Sequence, residues 1–346
     1  MEWTIYKGTS KPHDGIIQLP SPPPWRRFAH DIPESGIHTN PDSEFSKRDQ
    51  ARGESYLPSA EAIALVNAAL YLRRPLIVEG KPGTGKSTLA YAVAHELKLG
   101  PVLHWPITSS STIQQGLYRY DALGRLQEAK FREEQQKAPS EESEIAESSP
   151  GKRSDDIGRY VQLGPLGTAL LPWKKPRVLL IDEIDKSDID LPNDLLNIFE
   201  DGMFIIPELR RHPAKRVVVR TEDSSVAVVS EGRIICNEFP LVILTNNGMR
   251  EFPPAFMRRC LPLNLALPDA SKLAQIIRAH FPSDETQQNE QISQLIRTFL
   301  QRRDEGDLAT DQLMNAIFLT THGPNLLDSK HEQLLKAIMR HLSVRG

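Results

Sequence analysis

Cysteine is nearly absent from this 346-residue sequence: only Cys236 and Cys260 occur. Two distant cysteines exclude a disulfide framework and a zinc ribbon, and they fit a reducing cytoplasm. No run of about 18 apolar residues exists, so no transmembrane helix is expected. The opening, MEWTIYKGTSKPHDG, has no apolar stretch of the kind a secretory leader needs. Charge of one sign is also lacking. The net charge is −3, which gives no global reason to expect nucleic acid as a partner. What is present is ordinary for a soluble globular chain: 39% hydrophobic and 25% charged residues, with a length that points to two or three domains.

Residues 1–57 are rich in Pro, Ser, Gly and Asp, with LPSPPPWRRFAHDIP at their centre. Such a stretch forms neither a helix nor an inner strand. It reads as a flexible arm, or as a strap docked through Trp25 and Phe28 on the core or on a neighbouring subunit. From Ser59 the pattern changes. SAEAIALVNAALYLRR is a helix with Ser59 as N-cap and Glu61 in its first turn. Apolar strands follow at PLIVEG, VLHWPI (102–107), RVLLID (177–182) and LVILTN (241–246), with helices at KSTLAYAVAHELKL and LPNDLLNIFEDG. Wholly apolar strands belong to parallel sheets buried on both faces. CLPLNL (260–265) is a fifth strand, confined to an edge by Pro262. Residues 127–158 are acidic and poor in large apolar side chains and read as a disordered insertion. Residues 203–239 read as one or more hairpins. Beyond Pro268 four helical segments run to the end. The expected architecture is an α/β parallel sheet over 58–267 followed by an all-helical domain over 268–346.

Gly80-Lys81-Pro82-Gly83-Thr84-Gly85-Lys86-Ser87 matches the phosphate-loop pattern between an apolar strand and a helix. Glycines let successive N–H groups face one concavity, and the helix start adds its positive end. Lys86 is placed for the β- and γ-phosphates and Ser87 for Mg²⁺; with Gly80, Pro82, Gly83, Thr84, Gly85 and Thr88 they form the candidate ATP-binding set. VLLIDEID puts Asp182 and Glu183 at the carboxyl end of a buried strand, where ligands of open α/β sheets bind. Asp182 suits the Mg²⁺ shell and Glu183 suits polarising a water. LVILTNNGMREFPPAFMRRC ends another strand at the same edge. Asn246 or Asn247 is a candidate for the γ-phosphate or the water. Arg258 and Arg259 are candidates for an arginine supplied across a subunit boundary.

This ordered set resembles an AAA+ ATPase, and within that class the MoxR family found beside von Willebrand A-domain proteins in bacteria. LGPLGTALL before the second motif and LPNDLLNIFEDGMFIIPEL after it are similar to MoxR segments. The resemblance spans roughly residues 58–345. It implies a sheet ordered 5-1-4-3-2, a helical lid, a hexameric ring with Arg259 as the finger, and a von Willebrand A-domain partner. It also implies that SSSTIQQGLYRYDALGRLQEAK is an insert in which Tyr118 and Tyr120 face a pore or the core. One departure is expected: where MoxR lids carry a sensor-2 arginine, this chain has His322-Gly323-Pro324-Asn325.

The function implied is an ATP-hydrolysing remodelling chaperone. Two other readings stand beside it. The basic run ELRRHPAKRVVVR (208–220) suits a nucleic-acid motor of the McrB kind or a solvated hairpin, and a nucleotide-gated scaffold with little turnover would tolerate the change at Asn325.

Overall fold

The computed structural model describes residues 3–28, 37–41, 46–137, 157–281, 289–306, 308–323, 326–327 and 329–340. Its strands are β1 (Leu76–Glu79), β2 (Leu103–Pro106), β3 (Tyr118–Tyr120), β4 (Val161–Leu163), β5 (Val178–Asp182), β6 (Met203–Ile205), β7 (Arg216–Arg220), β8 (Val226–Ser230), β9 (Arg233–Ile235), β10 (Leu241–Asn246) and β11 (Leu261–Asn264). In the first two thirds of the chain the helices are α1 (Lys47–Glu54), α2 (Ala60–Leu72), α3 (Lys86–Glu96), α4 (Ile113–Leu117), α5 (Ala122–Lys137), α6 (Pro165–Ala169), α7 (Asp190–Asp201) and α8 (Pro207–Arg210). α9 (Pro254–Met257), α10 (Ala270–His280), α11 (Asn289–Glu305), α12 (Thr310–His322) and α13 (Glu332–Ile338) complete it.

Five parallel strands form the central sheet in the order β11-β1-β10-β5-β2. This is the expected 5-1-4-3-2 arrangement. The apolar runs of β1, β5 and β10 fill the middle, where both faces are covered. β11 pairs only with β1, so Pro262, which has no N–H to give, sits on the edge. A second, six-stranded sheet has the order β3-β4-β7-β8-β9-β6. Val217, Val219, Ala227, Val229 and Ile234 on its inner face join one core with Leu179, Ile181 and Leu244 of the central sheet. The hairpin expected over 203–239 is thus part of a broader layer that also takes in β3 and β4. Tyr118 belongs to the core side of this layer. It is buried and its hydroxyl donates to Glu208 at 2.9 Å. Tyr120 packs partly buried against the same core.

Two expectations are corrected. The insertion expected to be disordered over 127–158 begins as helix, because α5 runs to Lys137, and it ends as structure, because Ile157 and Gly158 are buried. Residues 138–156 lie outside the described residues. The arm is no free tail either. Asn67, fully buried on α2, accepts from the N–H groups of Ile5 and Tyr6 at 2.7 and 2.9 Å and donates to the Tyr6 carbonyl at 2.8 Å. The buried Glu96 carboxylate accepts from the backbone N–H groups of Lys7, Gly8, Thr9 and Ser10 at 2.6–3.0 Å. This segment joins no strand or helix, so two polar side chains of the helices satisfy its backbone instead. Further on, Arg26 lies over the rings of Phe28 and Phe239, 4.8 Å from each centroid, and donates to the Arg73 and Phe199 carbonyls. Phe28 docks as the strap reading expects; Trp25 is exposed. Residues 47–54 form α1, capped by Ser46, which accepts from the Asp49 N–H.

Helices α10–α13 bury their own cluster around Leu273, Leu295, Phe299, Leu313 and Ile317. Both cysteines are buried free thiols, which burial pushes up to about 12. Both therefore stay protonated thiols at neutral pH, the form that is neither nucleophile nor metal ligand.

Candidate nucleotide site

β1, β5 and β10 end side by side, and each delivers polar residues to one edge of the sheet. After β1 the chain curls through Gly80–Gly85 into the eleven-residue α3, whose N-terminal N–H groups face the loop. Gly83 has φ +79°, and a Cβ there would lie 2.5 Å from the Thr310 nitrogen of the helical domain. Only glycine fits both conditions. Lys86 is 7% exposed, and its ammonium donates to the carbonyls of Gly80 (2.7 Å) and Lys81 (3.1 Å). Burial lowers its pKa, against the pull of Asp185, Asp182 and Glu183. It is a cation held in the mouth of the loop by weak acceptors, ready to exchange them for phosphate oxygens.

Ser87 on α3 donates to Asp182 Oδ1 at 2.7 Å, Thr245 on β10 donates to the same oxygen at 2.6 Å, and His104 Nε2 lies 3.3 Å from Oδ2. Burial raises this carboxyl, but the hydrogen bonds from His104, Thr245 and Ser87 outweigh it and hold it at about 2. Asp182 is therefore ionised at neutral pH, next to a hydroxyl oxygen. That donor set fits a small hard cation such as Mg²⁺.

Glu183 adopts the left-handed backbone, φ 60°, a conformation that costs a non-glycine residue roughly 1–2 kcal/mol and clusters at functional sites. Its N–H donates to Thr245 Oγ1 at 2.8 Å. Its carboxylate accepts from Lys186 at 2.5 Å and from Asn247 Nδ2 at 3.4 Å. Asn246 is 3% exposed and donates to Glu79 at the end of β1, 2.9 Å away. The two asparagines thus part company: Asn247 turns to Glu183, Asn246 to the root of the phosphate loop. Arg259 is ion-paired with Glu200 on α7 and donates to the Ala255 carbonyl, while Arg258 is exposed. Among the described residues neither hydrogen-bonds to the loop of its own chain.

A cleft of about 600 Å³ opens beside the loop, walled by Thr84 and Thr88, by Tyr56 and Leu57, and by Lys272 and Met314 of the helical domain. Asn325 lies outside the described residues. The helical-domain element that meets the loop is the start of α12, at Ala309–Thr310. His322 and Gly323 close the other end of that thirteen-residue helix, about 18 Å away at 1.5 Å per residue. The contact is made by the backbone of Thr310 and by Ala309.

Sequence reasoning passed over Thr245, His104 and Lys186. Thr245 had a signal, since it is the one hydroxyl in an otherwise apolar strand directly before the asparagines. His104 had none, because its role depends on β2 lying beside β5, whereas Lys186 pairs with Glu183 three residues before it, a local contact that the spacing alone offered.

The family model of the AAA domain, dynein-related subfamily, matches residues 75–260, from the start of β1 to the turn before β11. The chain belongs to that AAA family. Membership implies ATP binding and hydrolysis. The AAA chain is also similar to domain III of the replication initiation protein DnaA from Thermotoga maritima. That match has 15% identity and a TM-score of 0.39, covering 84% of this chain and 97% of that one. No curated protein matches the sequence. No described helix is long and apolar enough to cross a membrane.

Proposed function

We propose that this AAA protein is a Mg²⁺-dependent ATPase of the MoxR type that works as a ring and remodels a partner protein. The observation that carries the ATPase reading is the convergence of Ser87 and Thr245 on one oxygen of Asp182, beside a buried Lys86 in a glycine loop. Lys86 exchanges the Gly80 and Lys81 carbonyls for the β- and γ-phosphates. Ser87 and Asp182 would hold Mg²⁺, which would supply positive charge against the phosphates. Glu183, fixed at its backbone by Thr245, leaves Lys186 and orients the attacking water. Asn247 steadies that carboxylate, and Asn246 ties the phosphate loop to β10 through Glu79. Arg259 completes the site of a neighbouring subunit. The ring is taken as hexameric, with a von Willebrand A-domain protein as partner; both rest on the resemblance to MoxR proteins. Closure of the helical domain over the cleft converts hydrolysis into movement.

The test is the ATPase rate per subunit against protein concentration, with particle mass measured with and without ATP. A specific rate that rises as mass moves toward a ring is expected. Lys86→Ala should remove nucleotide affinity, and tight ATP binding by that variant would refute the phosphate assignment.

A further inference from the structure

The second sheet has two faces, and only one is used. Strand periodicity sends alternate residues outward, and pairing lines them into rows. The first row runs Arg119, Gln162, Arg220, Val226 across β3, β4, β7 and β8. The next is Val218 opposite Val228. The third runs Arg216, Ser230, Arg233, Ile205 across β7, β8, β9 and β6. Val218, Val226 and Val228 are 53%, 66% and 38% exposed. The four arginines are exposed, and the carboxylate facing them is Glu222 in the turn between β7 and β8, which interacts electrostatically with Arg119. No outward strand position of this sheet carries a carboxylate. At one end the face runs into a cavity of about 570 Å³ lined by Met203, Ile205, Arg210, Lys215 and Arg233, with Glu231 as its lone acid.

A solvated face does not look like this. Surface sheets carry mixed charge and few apolar residues, and this chain is acidic overall. Here four guanidiniums frame a valine stripe. Guanidinium forks match carboxylates or phosphates. The valines decide between them. Phosphates leave apolar side chains uncovered, and single-stranded nucleic acid is gripped by aromatic rings, of which the outward rows hold none. Along β7 the outward order is Arg216, Val218, Arg220. The complement is a carboxylate, an apolar side chain and a carboxylate at two-residue spacing.

We propose that the outer face of this sheet is a docking surface for an extended acidic polypeptide in which apolar side chains are flanked, two residues away on each side, by carboxylates. The arginines pair with the carboxylates, the apolar residue covers Val218 and Val228, and the basic cavity receives the segment's end. The surface is independent of the nucleotide cleft, because none of its residues lines that cleft.

The test uses the full chain and a fluorescein-labelled peptide of about twelve residues repeating Glu-Ser-Val-Ser, about the length of two strands, followed by anisotropy. Saturable binding is expected. It should weaken about tenfold or more in Arg216→Glu/Arg220→Glu and in Val218→Ser/Val226→Ser. Replacing the peptide's valines by serine, or its glutamates by lysine, should have the same effect. Unchanged circular dichroism and ATPase rate in the variants would show an intact fold. No binding by the wild-type chain, or equal binding by the variants, overturns the proposal. So does an oligothymidylate of equal charge that binds as tightly, which would make the face a nucleic-acid surface. A fall in particle mass of the arginine variant would overturn it too, by making the face a contact between copies.

Discussion

Thr245→Val tests the site at its smallest joint. The threonine hydroxyl donates to Asp182 and accepts from the Glu183 N–H, and the side chain is 1% exposed. Valine keeps the volume and removes the oxygen, so no cavity contributes. A hydrogen bond to a charged acceptor is lost, and a buried N–H is left unpaired on a residue already in the left-handed region. Together these cost about 3 kcal/mol, or roughly 6–12 °C in Tm for a domain of this size. Turnover should fall about tenfold or more as Glu183 loses its anchor, while ATP binding changes little. The acid limb of the stability profile adds a second readout. Asp182 is held at about 2 against an ordinary 3.8. A depressed carboxyl contributes stability that is present above the ordinary value and lost as pH falls through the depressed one. That increment is roughly 2 kcal/mol. Valine lets the carboxyl rise toward its ordinary value, so the variant should lose less between about pH 4 and pH 2. Thr245→Ser, which restores the oxygen, should recover both stability and turnover. A valine variant with wild-type Tm and wild-type kcat would refute the argument.

Other expectations follow from the same geometry. Glu183→Gln should bind ATP yet hydrolyse it poorly, read by filter binding against phosphate release. Arg259→Ala should bind normally and turn over slowly, and mixing it with Glu183→Gln should restore part of the rate; no recovery would mean that Arg259 does not act across a subunit boundary. Gly83→Ala forces a strained backbone and pushes on Thr310, so nucleotide affinity measured by calorimetry should drop about tenfold or more. Glu96→Ala leaves the N–H groups of residues 7–10 without their acceptor and should destabilise by roughly 3 kcal/mol. Limited proteolysis should then cut first within residues 3–28.

The central sheet was legible because its strands are apolar throughout and each ends in chemistry. Spacing around Lys86 and Asp182 needs no tertiary knowledge, since a phosphate loop and an acidic strand end are local patterns. Pro262 even marked the edge. The second sheet was half hidden: β3, β4, β6 and β9 are three residues long, too short for a period to show. The N-terminal segment stayed open between arm and strap for another reason. Its composition resembles that of a disordered segment, and what orders it is supplied by Asn67 and Glu96, far along the chain and inconspicuous within helices. The loop contact of α12 was missed because it rests on which end of that helix turns toward Gly83.

The edge strand has a mechanical consequence. β11 leads straight into the segment that joins the helical domain, and a Cβ on Gly80 would lie 2.7 Å from the Leu265 carbonyl. A pivot at that junction would rest against the first residue of the phosphate loop, with no intervening layer to absorb a shift. α12 extends about 20 Å from its own contact with the loop. A rotation of about 10° there would swing its far end through roughly 3.5 Å, enough to separate packed side chains. A small adjustment around a phosphate would thus be geared up within a single chain, before any neighbour took part.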